Sequence, residues 1–93
     1  MRTLTIGRSS GNDVVIQDDF VSGSHCSITL DDEGNFYLQD LGSSNGTYVN
    51  GKRVQQAWLR SNDLVRIGET LIPWQEYFKL KAKIISMGLS SVR

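Results

Sequence analysis

The chain has 93 residues, of which 39% are hydrophobic and 22% are charged, and its formal net charge is zero. This length allows one domain with a single modest core, and the single cysteine, Cys26, excludes a disulfide framework and a cysteine metal site. Residues 1–50 carry two cations against seven anions, whereas residues 51–93 carry eight against three, and so acidic a first half argues against nucleic acid as the partner.

Apolar and polar residues alternate with a period of two in a series of short segments bounded by Gly, Asn, Asp or Ser. The clearest segments are residues 4–6, 26–30, 36–39, 65–67 and 71–72. Such alternation predicts half-buried strands, and there is almost no helical periodicity before residue 75. Many short strands with frequent turns predict an all-β fold, either a β-sandwich or a barrel.

Three connections between these segments have recognisable turn chemistry. Residues 8–12 form a loop after the first strand, and residues 31–35 join two alternating segments as a hairpin. Asn50-Gly51 is the residue pair typical of a type I′ hairpin turn, because both residues tolerate positive φ. The acidic loop 31–35 lacks the spaced ligands of a calcium loop, so no metal site is expected.

The end of the chain supports two alternatives. Apolar residues alternate with three lysines in residues 78–84, which predicts an edge strand with one cationic face. A helix with Phe78, Ala82, Ile85 and Leu89 on one side competes with it. Residues 79–93 are therefore expected to form an extra edge strand or a tail leading to a linker. No apolar run approaches the roughly 20 residues that cross a bilayer, so a cytosolic location without membrane insertion is expected.

The sequence does not favour catalysis. The single histidine, His25, lies within three residues of Ser22 and Ser24. A nucleophilic serine needs a base oriented by a third group, normally from separate segments of the chain, and no nucleophile-elbow motif is present. We therefore expect no enzymatic activity, no cofactor and no metal.

Three polar loops point to an anion site. Residues 7–8, 22–25 and 42–47 each lie between predicted strands and contain hydroxyls, an amide or a guanidinium beside small residues. Loops at one end of a sandwich cluster in space. Such a cluster has an excess of donors, and Arg8 is its one nearby cation. It suits a compact tetrahedral anion, because arginine binds phosphate bidentately and exposed amides form an anion nest.

In this order and spacing the motifs resemble the forkhead-associated (FHA) domain. The motifs are Gly7-Arg8, Ser22-x-x-His25, the block LGSSNGTYVNG from residue 41 to residue 51, and Leu59 followed by Asn62-Asp63 and Val65-x-Ile67-Gly68. The resemblance covers residues 3 to about 78, which is most of the chain, and residues 1–78 are expected to be the domain. It implies a two-sheet β-sandwich of about eleven short strands, with loops at one end that bind phosphothreonine peptides.

The resemblance also implies roles for individual residues. Arg8 would clamp the phosphate, Ser22 would donate its hydroxyl to a phosphate oxygen, and Ser44 would also contact the phosphate. Asn45 would bond the main chain of the ligand. Six further residues would mainly hold the loops in shape: Gly7, His25, Gly46, Thr47, Asn50 and Gly51.

Gly23 is a departure from the family pattern. The position after Ser22 commonly carries Arg, Lys or Asn, so a side-chain contact is missing here, although the backbone N–H of Gly23 is still expected near the phosphate. The partner implied is a protein or peptide that contains phosphothreonine. The alternative is an interaction domain that does not depend on phosphate and that binds a partner or itself, either through a sheet face or through the lysine-bearing segment at residues 78–84.

Overall fold

A computed structural model describes residues 1–78 of the chain. These residues form nine β-strands: β1 Arg2–Gly7, β2 Val14–Val15, β3 Cys26–Leu30, β4 Phe36–Asp40, β5 Thr47–Val49, β6 Lys52–Val54, β7 Gln56–Leu59, β8 Val65–Ile67 and β9 Thr70–Ile72. Residues 74–78 are helical. No helix within residues 1–78 is long and apolar enough to span a membrane.

The strands form two sheets. One has five strands in the order β2-β1-β3-β4-β7, and the other has four in the order β6-β5-β8-β9. All pairs are antiparallel except β1 with β2. The predicted all-β, two-sheet architecture is confirmed.

The strand count and two of the turns can be compared with the sequence. About eleven strands were implied, and residues 1–78 contain nine. β9 ends at Ile72 because the next residue, Pro73, has no N–H to donate to a neighbouring strand. The hairpin between β5 and β6 is confirmed, with φ of 51° at Asn50 and 84° at Gly51. The hairpin between β3 and β4 is confirmed as well.

The core lies between the two sheets and is closed at one end by the helical residues. Alternate residues of the strands point inward, as Ile28 and Leu38 do from the five-stranded sheet and Ile67 does from the other, each with 0% exposure. Burying one such side chain stabilises the fold by about 1.5–3 kcal/mol. Trp74 is also buried, and its indole N–H donates to the carbonyl of Asp63 at 2.9 Å.

The segment 78–84 was expected to form an edge strand or, alternatively, part of a helix, and the structure describes only its first residue. Phe78 is helical and buried, and its ring meets Phe36 edge-on with centroids 5.0 Å apart. The ring fills the open end of the sandwich, which favours burial over an exposed edge. Residues 79–93, which include the rest of the predicted strand, lie outside the described part of the chain.

Candidate functional site

Three loops meet at one end of the sandwich because of the register of the strands. Ile6 of β1 pairs with Cys26 of β3, and Cys26 pairs with Asp40 of β4. The loop after β1, the loop before β3 and the loop after β4 therefore lie at the same end of the five-stranded sheet. The third loop crosses to Thr47 of β5, which belongs to the other sheet.

The first two loops are joined through the backbone. The N–H of Arg8 donates to the carbonyl of Ser22 at 2.9 Å, and the N–H of Ser9 donates to the carbonyl of Gly23 at 3.2 Å. The amide of Asn12 also donates to the carbonyl of Gly23, at 2.6 Å. At Gly7, a Cβ atom would lie 2.2 Å from that same carbonyl oxygen. Only glycine therefore allows this close approach of the two loops.

The ring of His25 joins the second loop to the third. The backbone N–H of Ser22 donates to Nδ1 at 3.0 Å, and Nε2 lies 2.8 Å from the carbonyl oxygen of Gly46. A backbone N–H only donates and a carbonyl only accepts, so Nδ1 is unprotonated and Nε2 carries the proton. His25 is completely buried and bridges the loop before β3 and the loop that leads to β5.

The carboxylate of Asp40 organises the third loop from within. Its Oδ2 accepts the backbone N–H groups of Gly42 and Ser43, both at 3.0 Å. Its Oδ1 accepts the hydroxyls of Ser43 at 2.6 Å and Thr47 at 2.7 Å. The hydroxyl oxygen of Ser43 in turn accepts the N–H of Gly46 at 3.0 Å. Ser43 and Thr47 are therefore occupied inside the loop and do not face a ligand.

The hydrogen bonds at Asp40 decide its ionisation. Partial burial acts to raise the pKa of this carboxyl group, but the hydrogen bonds from Ser43 and Thr47 outweigh it, and the pKa of Asp40 is lowered. Burial raises the pKa of the neighbouring Cys26 thiol to about 12. The thiol therefore stays protonated at neutral pH and is not a nucleophile.

The atoms left open to a ligand come from both sides of the site. The hydroxyl oxygen of Ser22 accepts the N–H of Ser44 at 3.0 Å, so the hydroxyl proton of Ser22 remains available to an acceptor. The side chain of Ser44 is exposed. The amide nitrogen of Asn45 donates to the carbonyl of Phe20 at 2.8 Å, which orients the amide and leaves its oxygen open.

Arg8 supplies the positive charge at the same edge. Its side chain is 49% exposed, and its guanidinium lies 3.8 Å from the carboxylate of the fully exposed Asp19. Such an exposed pair is weak, so the guanidinium remains available to a stronger anion. Within residues 1–78 the backbone N–H of Gly23 donates to no protein acceptor. The site therefore combines one cation with hydroxyl and amide donors.

This arrangement corresponds to a known family. A family model described as the FHA domain matches residues 4–68. The chain belongs to the FHA domain family. FHA domains are non-catalytic interaction modules.

Individual relatives agree with this membership. The FHA chain is 40% identical over 67 residues to the glycogen accumulation regulator GarA of Mycolicibacterium smegmatis, covering 72% of this chain and 42% of GarA. The crystal structure of the FhaA FHA domain complexed with the intracellular domain of Rv3910 is 34% identical, with a TM-score of 0.71 and coverage of 76% of this chain and 79% of that one. The N-terminal FHA domain of Rad53p from S. cerevisiae, in complex with a phosphothreonine peptide, is 31% identical, with a TM-score of 0.66 and coverage of 72% and 56%.

The chain spans less than half the length of the curated relatives it matches, 42% in the case of GarA. The comparisons establish the family and the fold for this part of the chain.

The structure of this FHA domain brings most of the predicted site residues together, and separates two of them. Asn50 and Gly51 lie beyond the far end of β5, roughly 10 Å from Thr47 at 3.3 Å per residue. There the side chain of Asn50 holds the start of β8 by accepting the N–H of Leu64 at 2.9 Å. Their role is to fix the β5–β6 hairpin rather than to shape the loop that carries Ser44.

Two residues that organise this FHA site were absent from the predicted set. Asp40 precedes Gly42 by two residues, and an aspartate that bonds the backbone N–H two residues on is the signature of an Asx turn, so this signal was readable. Asn12 joins the carbonyls of Ser9 and Gly23. No local pattern marks Asn12, because its role depends on a loop eleven residues away.

Proposed function

We propose that this domain binds proteins phosphorylated on threonine and that the three loops hold the phosphothreonine. The observation that carries the proposal is the contact between Ser44 and Ser22, N–H to Oγ at 3.0 Å. It joins the loop before β3 to the loop that leads to β5, beside Arg8, whose N–H is bonded to the carbonyl of Ser22. Donors from the three loops thereby lie at one end of the sandwich, where they suit one small anion.

Each exposed group has a role in this proposal. Arg8 forms a charge-assisted hydrogen bond with the phosphate, and the hydroxyls of Ser22 and Ser44 donate to its oxygens. The backbone N–H of Gly23 donates to the phosphate in place of the missing side chain. Asn45 accepts a main-chain N–H of the ligand with its free amide oxygen, which fixes the direction of the peptide.

Two comparisons support the ligand class. Rad53p, a structural neighbour, is solved with a phosphothreonine peptide, and a second neighbour comes from a study of phosphothreonine-dependent FHA domain interactions. The ligand of this chain is therefore proposed to be phosphothreonine in a protein or peptide, recognised without a metal or cofactor. We also propose a cytosolic location, where protein kinases could supply such a ligand.

Replacing Arg8 with alanine tests the proposal. A hydrogen bond to a charged group is worth about 1.5–3 kcal/mol, so Arg8→Ala is expected to weaken phosphothreonine-peptide binding roughly 10- to 100-fold. The fold should survive, because the backbone N–H of Arg8 still bonds to Ser22. Isothermal titration calorimetry at one fixed salt concentration measures the affinity.

The matched control is Arg60→Ala. Arg60 is also an exposed arginine, but it follows β7 at the opposite end of the sandwich, where Leu59 pairs with Phe36. This variant should bind like the original protein. Equal affinity of Arg8→Ala and Arg60→Ala, or equal binding of the unphosphorylated peptide, would show that phosphate is not what the loops recognise.

A further inference from the structure

The outer face of the four-stranded sheet carries a row of side chains that the proposed function does not use. Tyr48 of β5 pairs with Arg53 of β6 and with Arg66 of β8, and Arg66 pairs with Leu71 of β9. Their strand neighbours Thr47, Val65, Ile67 and Ile72 are buried, so these four side chains point outward. We call Arg53, Tyr48, Arg66 and Leu71 the cationic row.

Arg66 is held in place, and the arginines of the row form no ion pair within the described residues. The guanidinium of Arg66 lies 4.2 Å from the centroid of the Tyr48 ring, and one of its N–H groups donates to the carbonyl of Gly68 at 2.6 Å. Within residues 1–78 the ion pairs are Met1 with Asp32 and Arg8 with Asp19. Neither Arg53 nor Arg66 therefore has a carboxylate within 4 Å in this part of the chain.

The row is continuous with the proposed phosphate site. The side chain of Arg53 lies against Gly46, where a Cβ atom would be 2.6 Å from Nε. A shallow groove of about 240 Å³ joins Asn45 to Tyr48 and Arg66. A ligand that extends from Asn45 along this groove reaches Tyr48 and Arg66 of the cationic row directly. Glu69 lines the same groove as Arg66, and its negative charge partly offsets that of Arg66. Arg53 does not line this groove, so its positive charge is offset less.

We propose that the cationic row binds an acidic segment of the phosphorylated partner, the protein whose phosphothreonine is held by the three loops. The proposal rests on the proposed function, because the loops place the ligand beside the row. Adjacent strands are about 4.8 Å apart, so the two arginines stand about 10 Å apart across Tyr48. An extended peptide covers that distance in about three residues, so two acidic residues three positions apart match the row. The two arginines of the row are too few for nucleic acid, which usually needs a broad basic face.

Two families of phosphothreonine peptides test the proposal. Both share the same phosphothreonine core, and one is extended with an acidic segment that carries glutamates three positions apart, the other with serine and glycine. At low salt the acidic extension is expected to raise the affinity roughly 5- to 20-fold, because an exposed ion pair is worth roughly two- to fivefold. The gain should disappear at high salt, where exposed charges are screened.

Arg53→Gln and Arg60→Gln form a matched pair of variants. Both remove one exposed arginine, but only Arg53 belongs to the cationic row. Arg53→Gln is expected to lower the gain from the acidic extension two- to fivefold and to leave the affinity for the neutral extension unchanged. Arg60→Gln should change neither. A loss of affinity for both peptides in Arg53→Gln would instead mean that Arg53 only supports the loop at Gly46.

The failures are distinguishable. If no phosphothreonine peptide binds the original protein, the proposed function fails and the inference fails with it. If the acidic and neutral extensions bind equally, only the inference fails. If light scattering shows a dimer that Arg53→Gln dissociates, the occupant of the row is a second copy of the chain, and the inference is overturned.

Discussion

Replacing Asp40 with asparagine removes the charge at the centre of the third loop and keeps the shape of the side chain. The amide oxygen of the new residue is expected to face the N–H groups of Gly42 and Ser43, because its NH2 group can donate to the two hydroxyls. The hydroxyl protons of Ser43 and Thr47 then lose their acceptor, in a place where both side chains are buried.

The magnitude follows from those two hydroxyls. A hydrogen bond to a charged group is worth roughly 1.5–3 kcal/mol and one between neutral groups roughly 0.5–1.5 kcal/mol. Two weakened bonds lower the free energy of unfolding by about 2 kcal/mol, within a range of about 1–3 kcal/mol because Asp40 is partly open to water. Typical domains are stable by roughly 5–15 kcal/mol, so the variant should remain folded at 25 °C.

Urea unfolding followed by circular dichroism measures this change. At an m-value of roughly 1–3 kcal/mol/M, the midpoint of Asp40→Asn should fall by about 1 M. Glu33→Gln is the matched control, because it neutralises an exposed carboxylate in the β3–β4 turn, away from the site. A midpoint for Asp40→Asn that equals the control would refute the role assigned to Asp40.

The pH dependence gives the same prediction an independent check. The pKa of Asp40 is lower in the folded state than its ordinary value, so its contribution to stability is fully present above about pH 4 and is lost as the pH falls through the folded-state pKa. The stability difference between the original protein and Asp40→Asn should therefore narrow below about pH 4. A difference that stays constant down to pH 2 would contradict the assignment.

Two glycines of the site should respond to substitution in opposite ways. Gly7→Ala is expected to destabilise the fold by about 1–3 kcal/mol and to abolish phosphopeptide binding, because the new Cβ meets the backbone carbonyl of Gly23 at 2.2 Å; near-original thermal stability would disprove the close approach. Gly23→Lys should fold normally, because a Cβ there meets only the movable hydroxyl of Ser9, at 2.7 Å. It should bind a phosphothreonine peptide more tightly at low salt, because the lysine adds a second cation to the site. Calorimetry of Gly23→Lys and Gly23→Ala separates the effect of the charge from that of the added bulk.

The strand pattern was readable wherever one face of a strand is polar. β3 and β4 alternate cleanly, and Asn50-Gly51 identified its hairpin. β7 was not readable, because Trp58 is apolar and points outward with 63% exposure, which erases the alternation with Ala57 and Leu59. β2 has two residues and pairs in parallel with β1, so it has too little length for a period to appear.

In the candidate site, too, some features could be predicted from the sequence and others could not. Residues in fixed local motifs, such as Gly7 and the Ser44-Asn45 pair, were assigned to the site through the resemblance of those motifs to the FHA domain. Which donors remain free could not be predicted, because that depends on contacts across the fold. Ser43 and Ser44 are adjacent and chemically identical, yet Ser43 is occupied by Asp40 whereas the side chain of Ser44 is exposed. The structure thus gives the physical reason why Ser44, and not Ser43, is open to a ligand.

The bridge formed by His25 has a consequence for how such a site can evolve. The ring connects the loop before β3 to Gly46 at the entrance of β5, so neither sheet holds a complete site alone. Recognition and the joining of the two sheets are thus inherited together. Homologues that keep the ligand are therefore expected to keep the hydrogen bonds of His25 that join the two loops. Residues on the outer faces of the sheets are not bound by this constraint and can diverge to acquire new partners.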